Sequence, residues 1–406
     1  MKILLSVCGS ISAYKSIDIA RGLIKEGHQV KVILSKGAEE FVIPQVFKYL
    51  GVEEVYKYND DFKYPEKVAD PGTVLHIELA KWADTFAVAP LSANTLANLA
   101  NGNANDLLTT VFLALGSETT IALYPAMNSN MLTNAMVVHN FEKLKNIFPN
   151  LLILPTERGE LACGDTGPGK LPHVEKIVAT LPYLNTKNSG KNILITTGPT
   201  MAPLDSVRFL TNSSSGITGF HLALEALSRG HVVTVIAGAN STNKLDYLKD
   251  LPKLTFEKVN TTLEMKECVL KHFPNCSVYI SAAAITDIEF NAGNEKLKKS
   301  DLMDSLPIKT SPDVLKAVMK IRDGQKFVGF AAEVNLSEEV LREKWERKPV
   351  ELLIGTEVNN GLVNKEEIKG FKKLDANYKF LKNGKISFEG TLTKIELAKN
   401  IMDEIL

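Results

Sequence analysis

The sequence predicts an α/β protein made of two doubly wound parallel-sheet domains in tandem, and three observations predict it. The chain has 406 residues, beyond the roughly 250–300 at which a single hydrophobic core stops growing. Short β-rich apolar runs alternate with segments of helical period from end to end, the rhythm of parallel strands covered on both faces. Residues 21–34, RGLIKEGHQVKVIL, are echoed by residues 223–236, ALEALSRGHVVTVI: a helix closing on glycine, a histidine, then a strand.

In chain order, the first domain opens with the strand KILLSV, a helix through Tyr14 to Lys25 and the strand HQVKVIL. The buried runs TFAVAP, IALYPAM and LLILP follow, and a helix over about residues 174–184 closes the unit. NTKNSGK, residues 185–191, is polar and aperiodic, so the boundary falls there, giving domains of 1–187 and 188–406. The rhythm restarts with NILITTG, a helix from Gly216 to Arg229, VVTVIAG, a helix near Thr261 to Phe273, and SVYISAAA. SPDVLKAVMKIRD is expected to start its helix on Ser311 as N-cap, with Pro312 in the first turn. NYKFLKNGKISFEG reads as a β-hairpin turning on Asn383 and Gly384. From Lys2 to His28 is 26 positions and from Asn192 to His231 is 39, so the second copy carries a longer loop after its first strand. That loop lies where doubly wound sheets bind ligands, so the repeat is expected to hold a different ligand.

Lys plus Arg and Asp plus Glu balance at 47 each, which leaves no excess charge for a nonspecific grip on nucleic acid or an anionic membrane. No apolar run reaches a membrane span, and MKILLSVCGSISAYK reads as a first strand without a signal peptide's basic flank, so a cytoplasmic protein is expected. The four cysteines, Cys8, Cys163, Cys268 and Cys276, form no CxxC pair and suggest neither a disulfide framework nor a zinc site. No GxGxxG follows either first strand, which counts against an NAD-dependent oxidoreductase. GDTGPGK, residues 164–170, imitates part of a P-loop, but Leu171 and Pro172 stand where a magnesium-binding hydroxyl and a helix should follow.

Polar residues become more specific between Thr73 and Cys163. HIELAKWAD puts His76 at a helix start, where a lone histidine is more often structural than catalytic. APLSANTLANLANG runs a buried strand into a helix start rich in Ser92, Asn94 and Thr95, suited either to ordinary capping or to an anion. PAMNSNM ends a strand on Asn128, whose amide can donate to a carboxylate. GELACGDTGPG sets Cys163 in a glycine-rich loop, expected to be a mobile lid.

Together these motifs resemble the flavin-containing cysteine decarboxylases, specifically phosphopantothenoylcysteine decarboxylase, over essentially the whole first domain. The resemblance implies a flavodoxin-like fold, with His76 as base, Asn128 as clamp for the substrate carboxylate and Cys163 as the finishing acid. It implies FMN contacts at Gly9, Ser10, Ser35, Pro90, Ser92, Asn94 and Met127. The implied chemistry oxidises the thiol-bearing carbon to a thioaldehyde, loses CO2 to give an enethiol, and reduces that to the thiol, with FMN closing its own redox cycle. One departure is ANDLL, with Asn105 where the family carries aspartate ahead of Asp106; Asn keeps an acceptor and loses the charge.

In the second domain, GPTMAPLDSVRFLTNSSSGITG feeds a helix start with three serines and Gly216, a phosphate cradle without a Walker motif or else a plain surface loop. Asp287 follows a buried strand, and Lys296, Lys298 and Lys299 cluster beyond it. With SPDVL, VGFAAE and TKIELAKNI, these resemble phosphopantothenate–cysteine ligase over about residues 190–406. The resemblance implies a Rossmann-like domain that activates 4′-phosphopantothenate with CTP, accompanied by Mg2+, and couples it to cysteine. It places Asn212 on the acyl intermediate, Ser214, Ser215, Gly216, Asp287, Lys298 and Phe330 on the nucleotide, Lys296 on developing charge, and Arg208 in support. Ile217 replaces the family's lysine, and Gly355, Thr356, Glu357 and Val358 replace its ANDV segment. Resemblance further implies decarboxylase trimers joined through ligase dimers into a dodecamer. The competing readings are a noncatalytic flavin-binding regulatory protein and a flavin prenyltransferase; retention of His76, Asn128 and Cys163 disfavours the first, and the attached ligase-like domain the second.

Overall fold

The computed structural model describes residues 1–66, 72–184, 190–291, 296, 308–359, 369–370 and 375–406. The chain divides into two compact units, Met1–Thr186 and Lys187–Leu406; of the expected boundary segment, residues 185–189 lie outside the described residues.

The first unit's sheet uses β1 (Lys2–Val7), β2 (Gln29–Leu34), β3 (Glu54–Lys57), β4 (Thr85–Leu91), β5 (Thr120–Pro125) and β6 (Leu151–Ile153). Their order is β3-β2-β1-β4-β5-β6, and every neighbouring pair is parallel. β4 and β5 are buried along their whole length, as a sheet covered on both faces requires. The helices are α1 (Lys15–Lys25), α2 (Pro44–Tyr49), α3 (Leu75–Trp82), α4 (Ala93–Asn101), α5 (Leu107–Ala114), α6 (Ser129–Leu132), α7 (Ala135–Ile147) and α8 (Val174–Thr180). Between α6 and α8 the chain makes an antiparallel hairpin, β7 (Glu157–Glu160) and β8 (Thr166–Lys170). The loop expected around Cys163 is therefore the tip of a β-hairpin, and the P-loop look-alike runs out along one of its strands.

The second unit contains β9 (Asn192–Pro199), β10 (Met201–Pro203), β11 (Phe209–Thr211), β12 (Val232–Gly238), β13 (Leu254–Val259), β14 (Val278–Ala284), β15 (Ile288–Phe290), β16 (Ile308–Thr310), β17 (Lys326–Glu333), β18 (Leu352–Glu357), β19 (Asp375–Lys382) and β20 (Lys385–Thr393). The main sheet runs β13-β12-β9-β14-β17-β18-β19-β20. Its first six strands are parallel, and the hairpin of β19 and β20 adds an antiparallel edge. Asn383 and Gly384 both take positive φ at that hairpin's turn, which is why Asn-Gly is found there. The helices are α9 (Ile217–Ser228), α10 (Thr262–His272), α11 (Val314–Met319), α12 (Glu338–Arg347) and α13 (Lys394–Ile405).

The echoed segments superimpose in kind. α1 and α9 each end just before a glycine with φ near +80°, Gly27 and Gly230, which a side chain would strain. His28 and His231 follow, and both are held below the usual imidazole pKa, chiefly by burial. One boundary is corrected: α11 is capped by Asp313, whose Oδ1 accepts from the Lys316 N–H at 2.9 Å, and not by Ser311. A carboxylate near the helix N-terminus outcompetes a hydroxyl two residues earlier, because the residue before a proline is pushed towards extended backbone. No helix among the described residues is long and apolar enough to cross a membrane.

Candidate active sites

In the first unit, β1 leads through α1 to β2 on one side, while β4 and β5 lie on the other. The order reverses between β1 and β4, so their carboxyl ends open a crevice that no crossover covers. A cavity of about 590 Å³ occupies this place, lined by Gly9 and Ser10 after β1, Ser92 after β4, and Met127 and Asn128 after β5, with Cys163 reaching it from the hairpin. Its volume is in the range of pockets that take small molecules and cofactors.

Several contacts fix this rim. A Cβ on Gly9 would lie 2.8 Å from the Gly37 Cα, so the loops after β1 and β2 can meet only without a side chain there. The Ser10 hydroxyl donates to the Ala126 carbonyl at 3.4 Å, tying the end of β1 to the end of β5. Ser92 caps α4, accepting from the Thr95 N–H at 3.3 Å, and aims that helix N-terminus at the cavity. Lys15 and Lys170 also line it, and burial together with the Lys170 charge lowers the Lys15 pKa. Three residues assigned to FMN by resemblance do not line this cavity. The Ser35 hydroxyl is buried and accepts from the Ala38 N–H at 3.2 Å, Pro90 is buried within β4, and Asn94 sits in the first turn of α4 outside the cavity lining. Asp106 is the N-cap of α5 in a capping box with Thr109, and Asn105 is exposed just outside that helix.

The glycines of the ACGDTGPG motif acquire a physical reason. In a strand, residues i and i+2 share a face; here Gly167 and Gly169 turn theirs onto residues 127–129. A Cβ on Gly169 would stand 2.0 Å from the Met127 carbonyl oxygen, and one on Gly167 would stand 2.3 Å from the Ser129 hydroxyl. Ser129 donates to the Pro168 carbonyl at 2.6 Å, and the Met127 N–H donates to the Gly169 carbonyl at 3.0 Å. Docked in this way, the hairpin tip brings the Cys163 thiol within 3.4 Å of the Asn128 amide nitrogen. The thiol in turn donates to Asp165 at 3.3 Å.

His76 stands second in α3 and does not line that cavity. Its ring nitrogen Nδ1 lies 2.8 Å from Asp61 Oδ2, and its backbone N–H donates to Oδ1 of the same carboxylate at 3.2 Å. A carboxylate beside Nδ1 favours the tautomer with the proton on that nitrogen, which leaves Nε2 to accept. Asp61 was missed in the sequence because it precedes His76 by fifteen residues with no local pattern joining them.

In the second unit the strand order reverses between β9 and β14. A cavity of about 110 Å³ lies at this point, lined by Ser214, Ser215 and Gly216, by Phe330, and by Tyr378 and Lys394. Gly216 is the N-cap of α9 in a left-handed conformation and provides no side-chain cap, which suits the first turn to an anion. Asn212 donates its amide to the Ala284 and Ile285 carbonyls at 3.0 and 3.1 Å, pinning the long loop to the end of β14. Arg208 pairs with Asp205 within the small hairpin of β10 and β11. Asp287 lines a neighbouring cavity of about 530 Å³, with Phe330 on the wall of both. Lys296 is exposed, and Lys298 lies outside the described residues. Lys394 and Tyr378 were not picked out in the sequence as site residues. Lys394 stood in the TKIELAKNI motif, but nothing local shows that its side chain turns inward.

Asp61→Asn removes the charge that fixes the His76 tautomer. It is expected to lower the turnover of the first unit's reaction by about 10- to 100-fold with little change in substrate KM, measured by steady-state kinetics.

Residues 1–184 match the Flavoprotein family, and residues 188–406 match the family described as DNA/pantothenate metabolism flavoprotein, C-terminal domain. The chain is 37% identical over 368 residues to the coenzyme A biosynthesis bifunctional protein CoaBC of Escherichia coli strain K12, covering 88% of this chain and 86% of that one. With the CoaBC protein of Bacillus subtilis strain 168 it shares 35% identity over 412 residues, 99% of this chain and 96% of its relative. Among solved structures, a PPC decarboxylase mutant complexed with pantothenoylaminoethenethiol is 30% identical, covers 44% of this chain and 95% of its own, and has a TM-score of 0.39. Both units and the order in which they are joined are thus accounted for by one kind of protein: the chain belongs to the family of coenzyme A biosynthesis bifunctional proteins, a flavoprotein decarboxylase unit followed by a ligase unit.

Proposed function

We propose that the chain performs two consecutive steps of coenzyme A synthesis. The second unit couples 4′-phosphopantothenate to cysteine through an acyl-cytidylate, turning CTP into CMP and pyrophosphate. The first unit converts the resulting 4′-phosphopantothenoylcysteine into 4′-phosphopantetheine and CO2. The observation that carries this reading is the meeting of the Asn128 amide and the Cys163 thiol at the wall of a cofactor-sized crevice, from positions 35 residues apart.

FMN suits that crevice: the Gly9–Ser10 turn and the N-terminus of α4 offer N–H groups to a phosphate, and Ile11, Met127 and Met131 offer an apolar wall to a flat ring. When bound, it would supply a two-electron acceptor for the thiol-bearing carbon, so that a thiocarbonyl can take up the electron pair that CO2 leaves behind, and would give the two electrons back at the end. The chain's own residues supply the rest. Asn128 presents an amide N–H to the substrate carboxylate, His76 takes a proton on Nε2 while Asp61 balances the charge, and the Cys163 thiol returns a proton at the end. In one chain His76 does not line the crevice that holds Asn128 and Cys163. We read this as a site completed by a second copy, which agrees with decarboxylase trimers joined by ligase dimers.

In the ligase unit, Ser214, Ser215 and the uncapped α9 N-terminus would hold the phosphates, and Asn212 would hold the acyl group through the oxygen of its anchored amide. No carboxylate among the described residues lines this cavity, so Mg2+ would be held chiefly by triphosphate oxygens and water.

The purified protein, incubated with 4′-phosphopantothenate, cysteine, Mg2+ and either CTP or ATP, is expected to release CO2 and nucleoside monophosphate and to form 4′-phosphopantetheine, with CTP preferred. Absence of product with both nucleotides would refute the reading. Cys163→Ser should leave ligation at the wild-type rate and accumulate the oxidised enethiol in place of the final thiol, seen by mass spectrometry. Co-expressed His76→Asn and Cys163→Ser chains should regain about a quarter of wild-type decarboxylation if each site draws on two copies, and essentially none if each chain's site is its own.

A further inference from the structure

Lys394 is the only lysine buried among the described residues, at 7% exposure. Five other lysines of the second unit, Lys344, Lys348, Lys369, Lys379 and Lys382, are more exposed, and each pairs with a carboxylate. Lys394, the most expensive of these charges to hide, has no carboxylate within ion-pairing distance among the described residues; its ammonium donates to the Tyr378 phenol and stands 5.2 Å from the centre of that ring. A neutral phenol repays only part of the cost of removing an ammonium from water.

Its placement is not accidental drift of a long side chain. Thr393 caps α13 in a reciprocal capping box with Glu396, which sets Lys394 as the first helical residue. Tyr378 is itself buried in β19. The charged and titratable neighbours are few. Asp375, at the start of β19, favours the ammonium from a distance, and His221 on α9 is held neutral by burial, with its pKa near 4. Burial brings the Lys394 pKa down to about 8, so the amine is still largely protonated at neutral pH.

The wall that Lys394 shares shows what could satisfy it. The same cavity is lined by Ser214, Ser215 and Gly216, where α9 begins without a side-chain cap, and by Thr356, whose hydroxyl is buried beside the Tyr378 phenol. Helix N–H groups, serine hydroxyls and a desolvated cation on one wall together suit a compact anion with several acceptor oxygens. The cavity, of about 110 Å³, has room for such a group.

We propose that Lys394 is a phosphate-binding residue of the ligase site, its ammonium positioned by Tyr378 to meet a phosphoryl group held at the N-terminus of α9. The proposal rests on the ligase reading above. The phosphoryl group belongs either to the triphosphate of the nucleotide or to the phosphate ester of 4′-phosphopantothenate, and affinity measurements separate the two.

The test uses the full-length protein as wild type, Lys394→Met and Lys394→Arg, with calorimetric titration of tripolyphosphate, CTP and 4′-phosphopantothenate in separate runs, and thermal unfolding of each variant without ligand. Lys394→Met should lose about 10- to 100-fold in affinity for one source, tripolyphosphate and CTP together or 4′-phosphopantothenate alone, and the other should bind as before. Its Tm should stay level or rise, since a buried uncompensated charge has been replaced by an apolar chain of similar length. Lys394→Arg, which keeps the charge, should bind the responding ligand more tightly than the Met variant and serves as the readout if that variant does not fold. Undiminished affinity of a folded Met variant for all three ligands would overturn the proposal, as would a wild type that binds none of them. A fall in Tm with unchanged affinities would make Lys394 structural and also overturn it. A wild type that binds tripolyphosphate in a Lys394-dependent way yet forms no phosphopantothenoylcysteine with either nucleotide would instead sink the ligase reading and leave the phosphate site standing.

Discussion

Both units depend on one geometric constraint: where the strand order of a parallel sheet reverses, two neighbouring strands send their crossovers in opposite directions and leave their carboxyl ends uncovered. In the first unit this happens between β1 and β4, in the second between β9 and β14. The crevice is therefore a product of topology before any functional residue is considered. It is also where helices α4 and α9 begin, so partial positive charge gathers at both openings without any excess of Lys and Arg in the chain. A neutral protein can bind phosphates this way because the attraction is local.

What differs between the units is how each crevice is finished. In the first, a hairpin is laid over the rim, and its register is set by two glycines spaced to share one strand face. Their missing side chains allow backbone to lie on backbone, and the thiol at the tip is thereby positioned against the Asn128 amide. In the second, the rim is closed by the sheet's antiparallel edge and the helix after it, which carry Tyr378 and Lys394 into the cavity. The first solution presents a thiol that faces solvent, whereas the second presents a cation withdrawn from it. Exposure differs with it: a thiol at a surface tip can exchange its proton with solvent, and a cation out of water interacts more strongly with any anion that reaches it.

Much of this was legible in the sequence, for reasons that can be named. Alternation of short apolar runs with helical-period segments depends on the solvent exposure of each residue in turn, so the two units and the order of their main elements could be read directly. Asn-Gly at 383–384 and the glycines ending α1 and α9 were equally readable, because positive φ is a property of a residue and its neighbours alone. The cap of α11 was misread by two residues because Ser311 and Asp313 are both good caps, and the choice between them is made by backbone direction around Pro312. Cys163 was placed in a loop because glycine composition signals a turn or flexibility, while the paired strands that flank it are stabilised by contacts with residues 127–129 that no local window includes.

By itself, the sequence determined the class of fold, the two-unit organisation, and the identities of the chemically able residues His76, Asn128 and Cys163, since these depend on periodicity and on motifs contiguous in the chain. Only the tertiary structure decided which of them meet. It joined Asn128 to Cys163, gave His76 its partner in Asp61, kept His76 out of the cavity the other two share, and turned Lys394 inward beside Tyr378. The physical reason is the same in each case. Hydrogen bonds and charge burial act over a few ångströms in space between groups separated by up to dozens of positions, and chain order carries no record of that distance until the sheet has formed.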